Sequence, residues 1–567
     1  MDQKKVIIAI ALSVILFIVI QFFMGPDTPE QPQAPLPPDV QQSQTEAAQK
    51  TLPKTQVIET ETGAADQISQ PSPLETEALE KAIDAPVARE ARNVVVKTNL
   101  FQVVLSENGA VIERLALKNY NQTGDKNSLM EELVSPEKNP NGTILTSVWA
   151  SSDTNLRPIY ETTAPELVLA ENEKQSVSFS YTSPTGVVTT KTYTFEPNSY
   201  IISLAVQVYN GSQNTLSDRL TVALEEDFTT RGQSYVFEGP VVKMGTQQLR
   251  IKTKKIKDKD RYTGKIDWIA DSSRYFLASV MPINGEEYDL RLNYTPEKML
   301  TSTLVYPEKT IQPNQTITIS SDLYFGPKSI PILKEVGREL HKVVNFGMFD
   351  ILAKPCLSLM RFIYDFIPNY GAAIILMTIL IKILLWPLGS KSYKSMAEMR
   401  KIQPLLTEMR EKYKNDKQKL NQEMMNLYKA YKINPLGGCL PMILQIPVFF
   451  ALYRMLYEAI ELRHAPFFGW IQDLAAPDRL FSFPVTIPYM EPPYGIPVLT
   501  ILMGASMFLQ QKMTPVMGDA SQQKVMMLMP IIFTVIFINF SAGLVLYWLV
   551  NNIISIGQQY YIQKKYS

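Results

Sequence analysis

The stretch GAAIILMTILIKILLWPL, residues 371–388, holds eighteen residues and a single charge, Lys382. As a helix it reaches about 27 Å, against a bilayer hydrocarbon core of about 30 Å. The pattern predicts a membrane span. Lys382 lies roughly 9 Å below its cytoplasmic end. A charge at that depth costs about 2.5–3.5 kcal/mol on insertion scales, so it snorkels to the headgroups or faces a cavity or polar partner. No carboxylate in the cytoplasmic halves of the other apolar runs stands where it would neutralise Lys382. The expectation is an aqueous cavity holding an unpaired positive charge.

Four more apolar runs follow, at 439–459, 496–513, 525–540 and 541–556. The last two would reach only about 24 Å and would thin the bilayer locally. Loop charges set their direction. Residues 389–438 carry eleven Lys/Arg against five Asp/Glu, whereas 464–495 has Arg479 as its only Lys or Arg. Lys512 and Lys524 flank the next loop, and Lys564 and Lys565 follow the last run. Every second connection is basic, which is the positive-inside pattern. Within the basic stretch, Met399, Ile402, Leu406, Met409 and Tyr413 share one stripe, and Leu420, Met424, Leu427 and Tyr431 share another. These heptad steps predict a cytoplasmic helical hairpin over 389–435.

Upstream, residues 329–350 place Ile332, Val336, Leu340 and Val344 four apart, which predicts an amphipathic helix on the membrane surface with His341 beside its stripe. Residues 91–328 switch to a period of two. Ile202, Leu204, Val206 and Val208 alternate with Ser203, Ala205, Gln207 and Tyr209, and Asn-Gly pairs stand at 108, 141, 210 and 284. Alternation with such turns predicts an all-β sandwich of antiparallel hairpins. Residues 25–90 hold ten prolines among Gln, Thr, Glu and Ala, the composition of a disordered tether. Residues 1–24 open with Lys4 and Lys5 and continue as an apolar run, read as an uncleaved anchor with its N-terminus inside. Six spans result, with both termini cytoplasmic and 25–370 largely outside.

Whole-chain averages hide this division. The 567 residues carry 55 Lys+Arg and 55 Asp+Glu, with a mean hydropathy of −0.05. The balance excludes a wholly basic nucleic-acid binder. Two cysteines and two histidines exclude a disulfide framework and leave little for metal or His chemistry. There is no Walker loop and no dinucleotide fingerprint, so no enzyme activity and no cofactor are expected. The polar residues inside the runs are Thr378, Gln445, Gln510, Gln511, Asn539, Asn551 and Asn552. Singly each serves as helix–helix glue. With Lys382 they would line a polar groove.

Three segments carry a resemblance: NPLGGCLPMILQIPVFFALYRML at 434–456, LVLYWLVNNI at 544–553 and QEMMNLYKAYKINP at 422–435. They resemble the YidC/Oxa/Alb family of membrane protein insertases, in its Gram-negative form with a large periplasmic domain, and the likeness covers nearly the whole chain. It implies an inner-membrane insertase and chaperone acting on nascent membrane proteins, alone or with the Sec translocon (SecYEG, SecDF). Its groove would open to cytoplasm and lipid. Lys382 matches a groove position where most members carry Arg. Thr378, Tyr547 and Trp548 match positions that face substrate, with Trp in place of the more usual Tyr at 548. Ribosome contact would fall to the hairpin and the loop 514–524, and the β-domain, similar to the sugar-binding supersandwich of aldose epimerases, would contact SecF. No histidine lies in 91–330, which argues against epimerase chemistry. Gln445, Gln510 and Asn551 complete the expected groove lining. A secondary transporter or channel is the alternative, although no internal repeat or paired intramembrane charge supports it.

Overall fold

The computed structural model describes residues 90–566 except 126, 152–156, 164–165, 170–172, 229–235, 432–439 and 515–519. The expected anchor at 1–24, almost all of the tether at 25–90, the start of the 439–459 run and the centre of the 514–524 loop therefore lie outside the described residues.

Residues 93–327 form the β-domain. Its largest sheet has eight strands. It runs from Gln247–Arg250 through Gly239–Met244, Ile266–Ser272, Phe276–Pro282, Thr316–Pro327, Ile201–Asn210 and Val187–Phe195 to Gln175–Thr182. Alternation explains the fold: Ile202, Leu204, Val206 and Val208 are buried, and the residues between them are not. In register, Ile319 pairs with Val206 and Leu323 with Ile202. On the open face, the hydroxyls of Ser176 and Thr194, Ser178 and Thr192, and Ser180 and Thr190 meet at 2.7–2.9 Å, cross-strand pairs that fix register where no core does. Two five-stranded sheets complete the sandwich. Trp268, Tyr193, Phe179, Phe195 and Tyr324 fill its core.

The amphipathic helix expected over 329–350 is not continuous. α1 covers only Ile330–Val336, and Gly337, Arg338 and Glu339 then take positive φ values of 83°, 47° and 57°. Tertiary bonds take this backbone away from the helix. The Arg338 guanidinium donates to the Met281 and Pro282 carbonyls and to Asp322, and Trp268 Nε1 donates to the Arg338 carbonyl. The amphipathic helix begins later, as α2, Asp350–Phe366. It buries Ala353, Leu357, Met360 and Ile363 and exposes Ile351, Phe362 and Phe366.

α3 spans Tyr370–Lys401, capped by the Asn369 side chain accepting from the Ala372 amide. Its 32 residues extend about 48 Å, well past the expected end at 388. Among the described residues it is the one helix long and apolar enough to cross a membrane by length and composition. α4 (Gln403–Lys412) and α5 (Lys417–Ala430) follow. Met399, Ile402 and Leu406 are buried against Met424, Leu427 and Tyr428. Tyr428 takes the place expected for Tyr431, which is exposed. The bundle is completed by α6 (Leu440–Glu458), α7 (Val498–Met513), α8 (Ala520–Phe537) and α9 (Ala542–Tyr566). Helix α9 runs ten residues beyond the expected end at 556 because its polar tail is bonded inward: Gln558 to the Trp386 carbonyl and Gln563 to the Met513 carbonyl. Among the described residues prolines stand inside four helices, Pro355 in α2, Pro387 in α3, Pro447 in α6 and Pro530 in α8. A short hairpin, Leu480–Phe483 with Tyr494–Ile496, precedes α7. The alternation there is too brief to have predicted it.

Candidate functional site

A polar seam runs between α3, α7 and α9. Helix α9 places Asn551, Asn552, Ser555, Gln558 and Gln559 at steps of three and four, one polar stripe on an otherwise apolar helix. Opposite them stands Lys382, 5% exposed, with Nζ donating to Ser555 Oγ at 2.8 Å. Ser555 Oγ in turn donates to the Asn551 carbonyl at 2.7 Å. Asn552 Nδ2 donates to Ser506 Oγ on α7 at 3.0 Å. Gln558 Nε2 reaches the Trp386 carbonyl and Ser390 Oγ at 3.1 and 3.3 Å. Tyr393 interacts with both Ser555 and Gln510, which ties α7 to the same network. Gln559 is 1% exposed, and among the described residues neither of its amide atoms has a hydrogen-bond partner.

Lys382 thus has a different setting from the one expected. Instead of standing free in an aqueous cavity, it is enclosed where α3 and α9 close on each other, with a neutral hydroxyl as its partner. No carboxylate pairs with it among the described residues. A serine oxygen satisfies one of the three ammonium donors and neutralises no charge.

The other expected residues divide. Thr378, one turn from Lys382, is buried with its hydroxyl bonded back to the Ile374 carbonyl at 2.6 Å. Gln510 and Asn551 belong to the seam. Trp548 belongs instead to an aromatic cluster, its ring centroid 4.6 Å from Phe449 and 5.0 Å from Phe537, both edge-on. Gln445 stands one turn before Phe449 on the same helix, half-buried. Tyr547 is 5% exposed and lies near Cys356 of α2. Ser555, Ser506, Tyr393 and Gln558 were not anticipated. The signal available was the spacing of small polar residues along α9, which hydropathy averages conceal.

A second polar region joins the β-domain to the C-terminal end of α6. Arg454 and Glu458 pair at 3.0 Å and are nearly buried. Arg274 donates to the Tyr457 carbonyl at 2.9 Å and lies 3.7 Å from that ring's centroid. Arg463 pairs with Glu131 at 2.7 Å. Lys328 donates to the Ser273 carbonyl, and burial pushes it down to about 8 against the attraction of Glu458. A cleft of about 360 Å³ opens here between Glu131, Glu238, Arg274, Tyr275 and Arg463.

Comparison with known proteins gives this architecture a context. Residues 93–359 match the family model of the YidC periplasmic domain, and 362–567 match that of the 60Kd inner membrane protein. A membrane protein insertase YidC of Syntrophus aciditrophicus is 41% identical over 99% of this chain and all of its own. One from Geobacter metallireducens is 36% identical over 99% of this chain and 98% of its own. A solved structure, described as an active YidC insertase with the first transmembrane domain resolved, aligns over 83% of this chain and 93% of its own at 17% identity and a TM-score of 0.36. The β-domain, the helical core and the full-length matches define an inner-membrane protein of the insertase class, whose function is not enzymatic. The chain belongs to the YidC family.

Proposed function

We propose that the seam around Lys382 is the element through which this insertase passes the polar flank of a membrane protein into and across the bilayer. The observation that carries this is a buried lysine partnered by a neutral serine within a stripe of amides and hydroxyls spanning three helices. A polar flank cannot cross about 30 Å of hydrocarbon cheaply. When α3 and α9 part, an acidic residue of the substrate replaces Ser555 as the partner of Lys382, and the amides of α9 solvate the rest. The membrane potential favours outward movement of a negative tail by about 2.3 kcal/mol per charge per 100 mV. The apolar segment then leaves along the aromatic and Met-bearing helix faces, and burial in lipid completes the step.

Six spans serve this reading: 1–24, α3, α6, α7, α8 and α9, with both termini and the α4–α5 hairpin inside and 91–328 outside. The loop charges support it. So do the exposed apolar faces at Leu380, Ile383 and Leu384 on α3, Leu502 and Leu509 on α7, and Ile531 and Val535 on α8, which would be an aggregation hazard in water and are ordinary in lipid. Nascent membrane proteins and membrane lipids are the partners the seam and faces fit. The basic hairpin and loop 514–524 are suited to a ribosome, and the outer domain to the Sec translocon (SecYEG, SecDF). The test is insertion of a small single-span substrate with an acidic tail into proteoliposomes. Lys382→Arg should retain insertion, and Lys382→Glu should lower it about tenfold. Normal insertion by Lys382→Glu would remove the charge from the mechanism.

A further inference from the structure

We infer that the lysine-rich loop after Arg250 is a binding surface for anionic phospholipid headgroups of the outer leaflet. Residues 251–265 read IKTKKIKDKDRYTGK, seven bases against Asp258 and Asp260. Lys252, Lys254, Lys255, Lys257, Lys259 and Arg261 are all exposed.

The loop is built, not loose. Ile251 and Ile256 are buried pegs, 5% and 4% exposed. Between them Thr253–Lys255 forms a 3-10 turn, closed by the Lys255 amide on the Lys252 carbonyl at 2.8 Å and the Ile256 amide on the Thr253 carbonyl at 3.1 Å. The turn presents its lysines outward at fixed spacing.

Its position gives the partner. Arg250, the residue before the loop, donates to the Val343 carbonyl at 2.8 Å. Its electrostatic neighbours are Glu458 and Arg454 at the outer end of α6 and Asp350 at the start of α2. Thr253 packs against Gly239. Gly239 pairs with Ser272, two residues before Arg274, which is bonded to Tyr457 of α6. The loop therefore leaves the β-domain at the end that sits on the helical bundle, near the start of α2. Lysines are compact point charges on flexible stems, suited to a diffuse anionic surface more than to a shaped site for one phosphate. Within a Debye length of a negative membrane such a cluster binds and is released by salt. A soluble acidic protein is the competing occupant, but neither the turn nor its pegs form an apolar anchor for one.

The inference rests on the orientation that puts 91–328 outside. The full chain in nanodiscs tests it. Amide exchange across 252–260 should slow about fivefold when phosphatidylcholine is replaced by a 7:3 mixture with phosphatidylglycerol. The effect should vanish in 0.5 M salt and be absent in the triple variant Lys252→Gln, Lys255→Gln, Lys257→Gln. Equal exchange in both lipids would overturn the inference. So would equal slowing by soluble glycerol phosphate over phosphatidylcholine, which marks a small-anion site, or slowing that needs an added protein. Labelling of the Lys257→Cys variant by an impermeant reagent in right-side-out vesicles separates the two readings. No labelling from outside sinks the orientation, whereas labelling without a lipid effect sinks the headgroup surface alone.

Discussion

Lys382 and Lys191 are both buried lysines, and their surroundings differ in kind. Lys191 is enclosed in the sandwich, donates to the Gly109 carbonyl, and holds its ammonium 4.9 Å from the Tyr160 ring centroid. Burial first, and Arg157 second, push it down to about 7. An unfolded chain keeps this lysine protonated up to about pH 10.4. Between about pH 7 and that value the unfolded state holds a proton the folded state lacks, so stability rises with pH through this window and the full penalty remains below it. Lys191→Met should flatten that slope and stabilise the β-domain at pH 7 by on the order of 2 kcal/mol, read from urea midpoints by tryptophan fluorescence between pH 6.5 and 9.5. An unchanged slope would mean the proton is held elsewhere. In the proposed mechanism Lys382 has the opposite use: a seam around a charge without a carboxylate attracts one from outside. Ser555→Ala should leave insertion within about threefold of normal, since the hydroxyl only occupies the lysine at rest. Lys382 was legible because a lone charge in an apolar run cannot be averaged away. Ser555 and Ser506 were not, because small hydroxyls barely change hydropathy and their roles depend on how three helices are registered against one another.

At the scale of elements, long apolar runs and strict alternation were readable, and short or tertiary-bonded pieces were not. α7 begins at Val498 and α9 at Ala542, each within two residues of the run that marked it. The break after α1 could not be read, because it follows from Arg338 reaching strands 57 and 16 residues away. The hairpin at Leu480–Phe483 and Tyr494–Ile496 was also invisible. Arg479 holds it to the C-terminal end of α8, donating to the carbonyls of Pro493 and Ile538, while Phe481, Val485 and Tyr489 are 68%, 66% and 86% exposed. Aromatic rings so placed belong at a membrane–water interface. Tyr489→Trp in vesicles of lipids brominated near the headgroup should be quenched to at least half its intensity relative to unbrominated lipid. Equal intensities would place the hairpin in water.

Across the whole molecule, the β-domain is fastened to the core by a handful of charged contacts at the C-terminal end of α6. The Arg463–Glu131 pair is 10% and 18% exposed, and Arg463 also lies over the Phe276 ring at 5.2 Å. Arg463→Ala removes both contacts and leaves Glu131 without its partner. Exchange in the edge strand Met130–Val134 should rise several-fold, while insertion changes by less than about twofold, because the seam lies in other helices. A matching fall in insertion would make the β-domain part of the mechanism. The prolines carry a different consequence. Each deprives its helix of one backbone bond, and Pro387 follows Lys382 by little more than a turn. A rod with a missing rung flexes at low cost. Of the three helices that line the seam only α3 is jointed in this way, so one wall of it is compliant by construction. In the proposed mechanism a passing chain widens the seam by bending that one jointed wall, which springs back once the chain has gone, so a machine that consumes no fuel of its own opens for each client and reseals behind it.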